Sequence, residues 1–160
     1  PFVFGRGAEE CVRLADESIP FRIVPGITAG IGGLAYAGIP MTTRGTNTAI
    51  TFVTGHSASG KVPDDIDWEA LAKGSPALVF FMGMAHIGRI ADNLIRAGRS
   101  ISEPVAVICA ATTSNQKVLI SNLKNCARDV NESNLAPPAL IVIGDVINFR
   151  EKLDWFIRGK

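Results

Sequence analysis

Short apolar runs that stop at glycine or proline, separated by stretches of helical periodicity, constrain this chain more than any other feature. Phe21–Val24 stops at Pro25-Gly26, Ala49–Thr54 at Gly55, Ala77–Met82 at Gly83 and Leu140–Ile143 at Gly144. Runs this short and this apolar suit strands covered on both faces, with glycine allowing the chain to turn sharply at each end. Between them, Ile87, Ile90, Ala91, Leu94 and Ile95 form one stripe at helical spacing, and Gly98 stands where a left-handed helix cap belongs. Ala8, Cys11, Val12 and Ala15 repeat that spacing, predicting an amphipathic helix after Gly5-Arg6-Gly7. Asp67–Lys73 and Leu123–Asn131 read as further helices. Pro104–Cys109 reads as a strand, and Gln116–Ser121 as another that can pair antiparallel with a neighbour. The alternation predicts a layered α/β domain built on a mixed sheet.

The chain has 160 residues, 47% of them hydrophobic and 19% charged, enough for one compact core or for one domain carrying part of another. A net charge of +1, with both signs scattered, offers no basic block to track a nucleic-acid backbone or an anionic lipid surface. The longest apolar stretches are too short to span a bilayer, and no basic start or small-residue cleavage site marks a signal peptide. A cytoplasmic setting is therefore expected. Cys11, Cys109 and Cys126 are widely separated and form no CxxC pair, which predicts buried thiols, and only His56 and His86 could complete a metal site. Pro1 opens the chain without methionine and leads at once into Phe2-Val3-Phe4, so an earlier segment is expected to precede it.

Thr28 is placed to cap the small-residue segment Ala29–Gly38, whose glycines at 30, 32, 33 and 38 each cost about 1 kcal/mol of helix propensity relative to alanine. Something must approach that backbone closely. A change from small-residue helix to the polar stretch Thr42–Thr48 places a domain boundary at Pro40, giving residues 1–40 and 41–160. Ser57–Pro63 reads as an exposed loop.

Three glycine-bearing turns, Phe4-Gly5-Arg6-Gly7, Pro25-Gly26-Ile27-Thr28 and Met82-Gly83, are the natural places for a small molecule, because ligands of open α/β sheets settle beyond the carboxyl ends of strands. None is a phosphate-binding Walker loop, and Glu10 occupies the last glycine position of a dinucleotide fingerprint. No GxSxG elbow supports a hydrolytic triad around His56 or His86. Asp64, Asp65, Asp67 and Glu69 match no calcium loop and read as a solvated helix start. Arg6, Arg22 and Arg44 sit where a guanidinium could grip carboxylates.

Pro-Phe-Val-Phe-Gly-Arg-Gly at Pro1–Gly7 resembles the second half of the Gly-Gly-Asp-Pro-Phe-Val-Phe-Gly-Arg-Gly loop of the uroporphyrinogen-III methyltransferases, members of the tetrapyrrole methylases. Val24–Ala29, Ala37–Pro40, Phe52–His56, Val79–Gly83 and Pro138–Gly144 resemble the same family in the same order, so the likeness runs through essentially the whole chain. The resemblance implies the carboxyl-terminal domain of a homodimeric two-domain α/β enzyme, preceded by the end of the amino-terminal domain. It implies transfer of methyl groups from S-adenosylmethionine to C2 and C7 of uroporphyrinogen III, yielding S-adenosylhomocysteine and precorrin-2, which feeds sirohaem and cobalamin.

Carried over by position, the resemblance puts Val3, Thr28, Ala29, Met82, Ala111 and Ala139 against the cofactor and gives Arg6 and Arg44 to the substrate. The chain has Ala110-Ala111-Thr112 where many relatives have Asn-Gly-Thr, and Gly45 where an aspartate is frequent. Methyl transfer from a sulfonium is an in-line displacement that disperses positive charge, so alignment and desolvation carry it and no metal is required. The family's acid and base residues lie in the amino-terminal domain, which implies no catalytic residue here and no turnover by this chain alone. A scaffold or dimerisation fragment and a sister methylase acting on a later precorrin are the competing expectations.

Overall fold

The structure, a computed structural model, describes residues 1–57 and 60–156. Its elements in chain order are α1 (Gly7–Asp16), α2 (Ala29–Tyr36), β1 (Thr51–Thr54), α3 (Trp68–Gly74), β2 (Leu78–Phe81), a 3-10 turn (Met84–His86), α4 (Ile87–Arg96), β3 (Pro104–Cys109), β4 (Lys117–Asn122), α5 (Cys126–Glu132), β5 (Ala139–Ile143), a second 3-10 turn (Asp145–Phe149) and α6 (Arg150–Leu153). The sheet runs β1-β2-β5-β3-β4, with β1 and β2 parallel and every other pairing antiparallel. This is the mixed sheet that the strand spacing predicts, including the antiparallel seat of β4 on β3.

Period-two alternation divides the strands between two cores. Leu78 and Phe80 face one side with Ile141, Ile143, Val105 and Val107, where Ile87, Ile90, Ala91 and Leu94 of α4 and Cys126 and Val130 of α5 cover them. Val79, Ala106, Ile108, Leu140 and Val142 face the other side, beneath Leu34, Ala37 and Ile39. The residues of the predicted α4 stripe thus lie against the sheet, and Gly98 beyond its end has φ +99°. Asp67 caps α3, its carboxylate accepting the Ala70 amide at 2.9 Å, so part of the acidic cluster serves as a helix start.

Several boundaries move for identifiable reasons. Phe21–Val24 forms no strand: a strand needs a hydrogen-bonded neighbour, none lies beside it among the described residues, and Val24 is 71% exposed. β1 begins at Thr51 rather than Ala49, because the buried Asn47 side chain donates to the Ala49 carbonyl at 3.0 Å and to the Met41 carbonyl at 2.8 Å. α5 begins at Cys126 rather than Leu123, since the Leu123 and Lys124 amides bond back to the carbonyls of Glu103 and Ile101. The loop at Ser57–Pro63 includes residues 58 and 59, which lie outside the described residues. α1 forms where its stripe predicts, yet buries nothing, with Val12 60% exposed. Cys109 and Cys126 are buried as expected, whereas Cys11 is half-buried on α1. No helix among the described residues is long and apolar enough to cross a membrane.

The glycines of α2 answer the question that its composition raises. A Cβ on Gly30 would lie 2.8 Å from the Phe81 ring and 3.0 Å from that of Phe52, and one on Gly33 would lie 3.0 Å from the Ala111 Cβ. The groups that approach this backbone are therefore the sheet and its loops, and bare backbone lets the helix lie that close. Thr28 occupies the N-cap position, but its side chain makes no capping bond; its carbonyl accepts the Ile31 and Gly32 amides, each at 2.9 Å.

Candidate functional site: a crevice at the convergent strand ends

Since β2 and β3 both run antiparallel to β5, they are parallel to each other and to β1. The carboxyl ends of all three therefore meet the amino end of β5 along one edge of the sheet. Between these ends and the start of α2 lies a crevice of about 690 Å³. It is lined from the strand ends and α2 by Ala29, Phe81, Met82, Ile108, Ala110, Ala111, Ala139 and Leu140, together with His56, Met84, Ala85, Thr113, Pro137 and Pro138. The surface is largely apolar and small-residued, as suits a flat organic ligand held by shape and by backbone groups.

The loops that end the strands are held in unusual conformations. Met82 after β2 has φ +55° and Ala110 after β3 has φ +46°, a left-handed region that costs a residue with a Cβ on the order of 1 kcal/mol. Such strain persists only where neighbours overdetermine it. At β3 the determinant is Gln116, which is 3% exposed. Its Oε1 accepts the Thr112 amide at 2.7 Å and its Nε2 donates to the Tyr36 carbonyl at 3.0 Å, tying the Ala110–Thr113 loop to the end of α2. The Ala110 amide also donates to the Pro138 carbonyl at 3.0 Å. At β2 the Gly55 amide donates to the Phe81 carbonyl at 2.7 Å, so the loop after β1 is held against the one carrying Met82.

Of the residues assigned by resemblance, Ala29, Met82, Ala111 and Ala139 come together in this wall from four separate elements. Val3 and Thr28 do not line it. Val3 lies 45% exposed in the bend before α1, beside Phe4, whose ring centroid is 5.2 Å from that of Phe81. Thr28 immediately precedes Ala29. Arg6 bonds Glu9 in an exposed ion pair at 2.7 Å, and Arg44 projects from an exposed turn, so neither reaches the crevice. Among the described residues no cluster of three or more His, Cys, Asp or Glu could hold a metal.

Sequence reasoning did not select Phe81, Ile108, Leu140 or Gln116. The first three are ordinary strand residues, although strand alternation puts Phe81 on the face of Val79, away from Phe80. Gln116 carried a weak signal as the polar residue just before the amphipathic strand β4.

Comparison with known proteins agrees with this architecture. Residues 1–127 match the family model of the Tetrapyrrole (Corrin/Porphyrin) Methylases. The chain is 57% identical over 155 residues to a uroporphyrinogen-III C-methyltransferase of Sinorhizobium sp, covering 97% of this chain and 55% of that protein. It is 45% identical over 156 residues to a siroheme synthase of Pseudomonas fluorescens (strain SBW25), covering 98% of this chain and 33% of that one. The fold superposes with a TM-score of 0.79 on uroporphyrin-III C-methyl transferase from Thermus thermophilus complexed with S-adenyl homocysteine, at 33% identity, covering 92% of this chain and 63% of that one. The chain thus spans a third to just over half of the curated relatives cited. With the family model matched across most of its length and the fold superposing on that of a solved relative, the chain belongs to the tetrapyrrole methylases.

Proposed function

We propose that this chain supplies the carboxyl-terminal wall of the active site in an S-adenosylmethionine-dependent methyltransferase that converts uroporphyrinogen III to precorrin-2 by methylation at C2 and C7. The observation that carries the reading is the convergence of Ala29, Met82, Ala111 and Ala139 on one apolar crevice at the strand ends. The 57% identity to a protein named for that reaction supports the choice of substrate over that of a sister precorrin methylase.

The residues present suit a sulfonium nucleoside. Small side chains at Ala29, Ala110, Ala111 and Ala139 leave backbone open to a planar base and ribose, while Phe81, Ile108 and Leu140 exclude water from the apolar part. Met82 lies against the reactive end and Thr28 and Val3 close the remaining sides when the rest of the enzyme is in place. When bound, the cofactor supplies an electrophilic methyl group. The chain's contribution is alignment of that methyl with the acceptor carbon and removal of water from between them, which matters because the displacement must be in line. Arg6 and Arg44 are assigned to acidic groups of the tetrapyrrole.

In this reading residues 1–40 end an amino-terminal domain and residues 41–160 form the second domain, with α2 laid across the second domain's sheet. The enzyme works as a homodimer in the cytoplasm, serves sirohaem or cobalamin formation, and uses neither nucleic acid nor membrane. The isolated chain binds without turning over, because acid and base groups come from elsewhere in the enzyme.

Calorimetry with S-adenosylhomocysteine tests the reading. Measurable binding that is weakened by Ala111→Phe, a substitution that fills the crevice, is the expected result. Absence of heat with the folded chain would favour a scaffold fragment instead, and product mass and regiochemistry in the complete enzyme distinguish a sister methylase.

A further inference from the structure

The segment after β5 turns back to the carboxyl end of α2 and fastens there. Arg150, which begins α6, donates from its guanidinium to the Ala37 carbonyl and to the Asp154 carboxylate, the latter at 2.6 Å. The Trp155 indole donates to the Ala35 carbonyl at 2.8 Å, and the Trp155 amide donates to the Leu153 carbonyl at 2.8 Å, which bends the segment over the helix end. The Tyr36 ring centroid lies 5.0 Å from those of both Trp155 and Phe156. At Gly38, just past the helix, φ is +65° and a Cβ would fall 2.2 Å from the Leu153 carbonyl oxygen, so the segment crosses bare backbone.

These contacts matter because α2 cannot fix its own place. Its eight residues include Gly30, Gly32 and Gly33, which makes it too short and too glycine-rich to persist as a helix by itself. Its position nevertheless shapes the crevice. Ala29, its first residue, lines the crevice, and a Cβ on Gly30 or Gly33 would strike Phe81 or Ala111, two further lining residues. Contacts made at bare glycine have no flexible side chain to absorb a shift, so a displacement of the helix is passed on to the lining. Tyr36 stands only about 10 Å along the helix axis from Ala29, which keeps the two ends mechanically coupled.

We propose that Arg150–Phe156 is a positioning strap: by holding the carboxyl end of α2 it sets how closely Ala29 and Ala111 face the ligand, and so governs affinity for the nucleoside. Neither Arg150 nor Trp155 lines the crevice, so both act through α2. The proposal rests on the function proposed above and adds two positioning residues remote from the ligand.

The test compares the wild-type chain with Trp155→Phe, Trp155→Leu and Val130→Ala, the last of which opens a cavity in the core on the other face of the sheet. S-adenosylhomocysteine affinity is measured by calorimetry well below each denaturation midpoint, and amide hydrogen exchange is followed by NMR. Trp155→Leu should weaken nucleoside binding on the order of tenfold, and Trp155→Phe, which keeps a ring against Tyr36, by less. In both, exchange should quicken at the Ile31, Gly32 and Thr112 amides while β3 and β5 stay protected. Val130→Ala should lower the denaturation midpoint yet leave nucleoside affinity and those three amides as in the wild type.

Wild-type affinity in Trp155→Leu, an equal fall in affinity in Val130→Ala at the same loss of stability, or unchanged exchange at the three amides would each overturn the strap. If Trp155→Leu does not fold, Trp155→Phe decides by the same readings. A folded wild-type chain that binds no nucleoside would count against the proposed function, and the strap would then stand or fall on the exchange rates.

Discussion

Gln116 joins two parts of the crevice that are remote in sequence: its Oε1 accepts the Thr112 amide at 2.7 Å while its Nε2 donates to the Tyr36 carbonyl at 3.0 Å. The neighbouring carbonyls of α2 are engaged in the same way. The Trp155 indole donates to the Ala35 carbonyl at 2.8 Å, and the Arg150 guanidinium donates to that of Ala37. Three side chains from beyond the helix thus satisfy consecutive carbonyls at its end, a task that helix termini otherwise leave to water.

Gln116→Leu removes both bonds and leaves the Tyr36 carbonyl and the Thr112 amide without that partner. We expect a loss of about 2 kcal/mol in urea denaturation, since a buried group deprived of its partner costs about 1–3 kcal/mol. Nucleoside affinity should fall as well, because the same bonds hold the Ala110–Thr113 loop. Unchanged affinity in a destabilised variant would show that the loop is held by other contacts.

Gly33→Ala should destabilise by about 1–3 kcal/mol through overpacking, since the added Cβ meets Ala111 at 3.0 Å and Leu140 Cδ1 at 3.1 Å. Ala111→Gly removes one of those atoms. A double-mutant cycle should therefore show the pair recovering part of the loss, and strict additivity would contradict the direct contact.

The left-handed backbone at Ala110 can be tested with two substitutions of opposite expectation. Ala110→Gly should be nearly neutral, as relief of strain offsets the entropy that glycine loses on folding. Ala110→Val should cost about 2 kcal/mol, because a β-branched residue fits φ +46° poorly. Thermal denaturation of both variants gives the comparison.

Glu103 pairs with Arg99 at the opposite end of the sheet, where both side chains are largely buried and Arg99 also donates to the Ser75 carbonyl. Burial raises the Glu103 carboxyl above its ordinary value, outweighing the attraction and hydrogen bond of Arg99, and Asp145 pushes in the same direction. The folded state then holds this proton more tightly than the unfolded state does. Its contribution to stability is accordingly present below the unfolded value and is lost as pH rises through the folded one. Denaturation midpoints measured across the weakly acidic range should show this term in the wild type and lose it in Glu103→Gln. Because the amide stays neutral at every pH, that variant should be no less stable than the wild type near neutral pH, where the wild type bears the cost of a buried, ionised carboxylate.

Burial pushes the Cys126 thiol up to about 11 and raises that of Cys109 as well. Since thiolate is the reacting species, a thiol reagent near neutral pH should modify Cys11 in the native chain and reach the other two only after unfolding. As a raised thiol value favours the protonated folded form, the stability contributed by Cys126 should decline as pH climbs from the ordinary value of 9.0 toward about 11. Fast native labelling of all three cysteines would contradict the burial.

Local pattern is strong where one element decides its own fate. The stripe from Ile87 to Ile95, the cap at Gly98, the Asp67 helix start and the strand Pro104–Cys109 could all be read from the chain, because helical and strand periodicities are set by covalent geometry. Where an element depends on a neighbour, pattern was insufficient. Phe21–Val24 has the composition of a strand but no pairing partner among the described residues, while β1 is shortened by the side chain of Asn47. The segment after Ile143, which supplies Arg150 and Trp155 to the end of α2, had no periodicity strong enough to mark it.

The crevice divides along the same line. The order of motifs along the chain determined the family and named Ala29, Met82, Ala111 and Ala139 as members of one site. Only the tertiary structure decided that these four share a wall while Val3, Thr28, Arg6 and Arg44 stand outside it, and that His56 meets His86. The reason is physical: periodicity fixes which way a side chain points from its own element, whereas meeting across the sheet depends on strand order and on hydrogen bonds between residues remote in sequence, such as Gln116 to Tyr36.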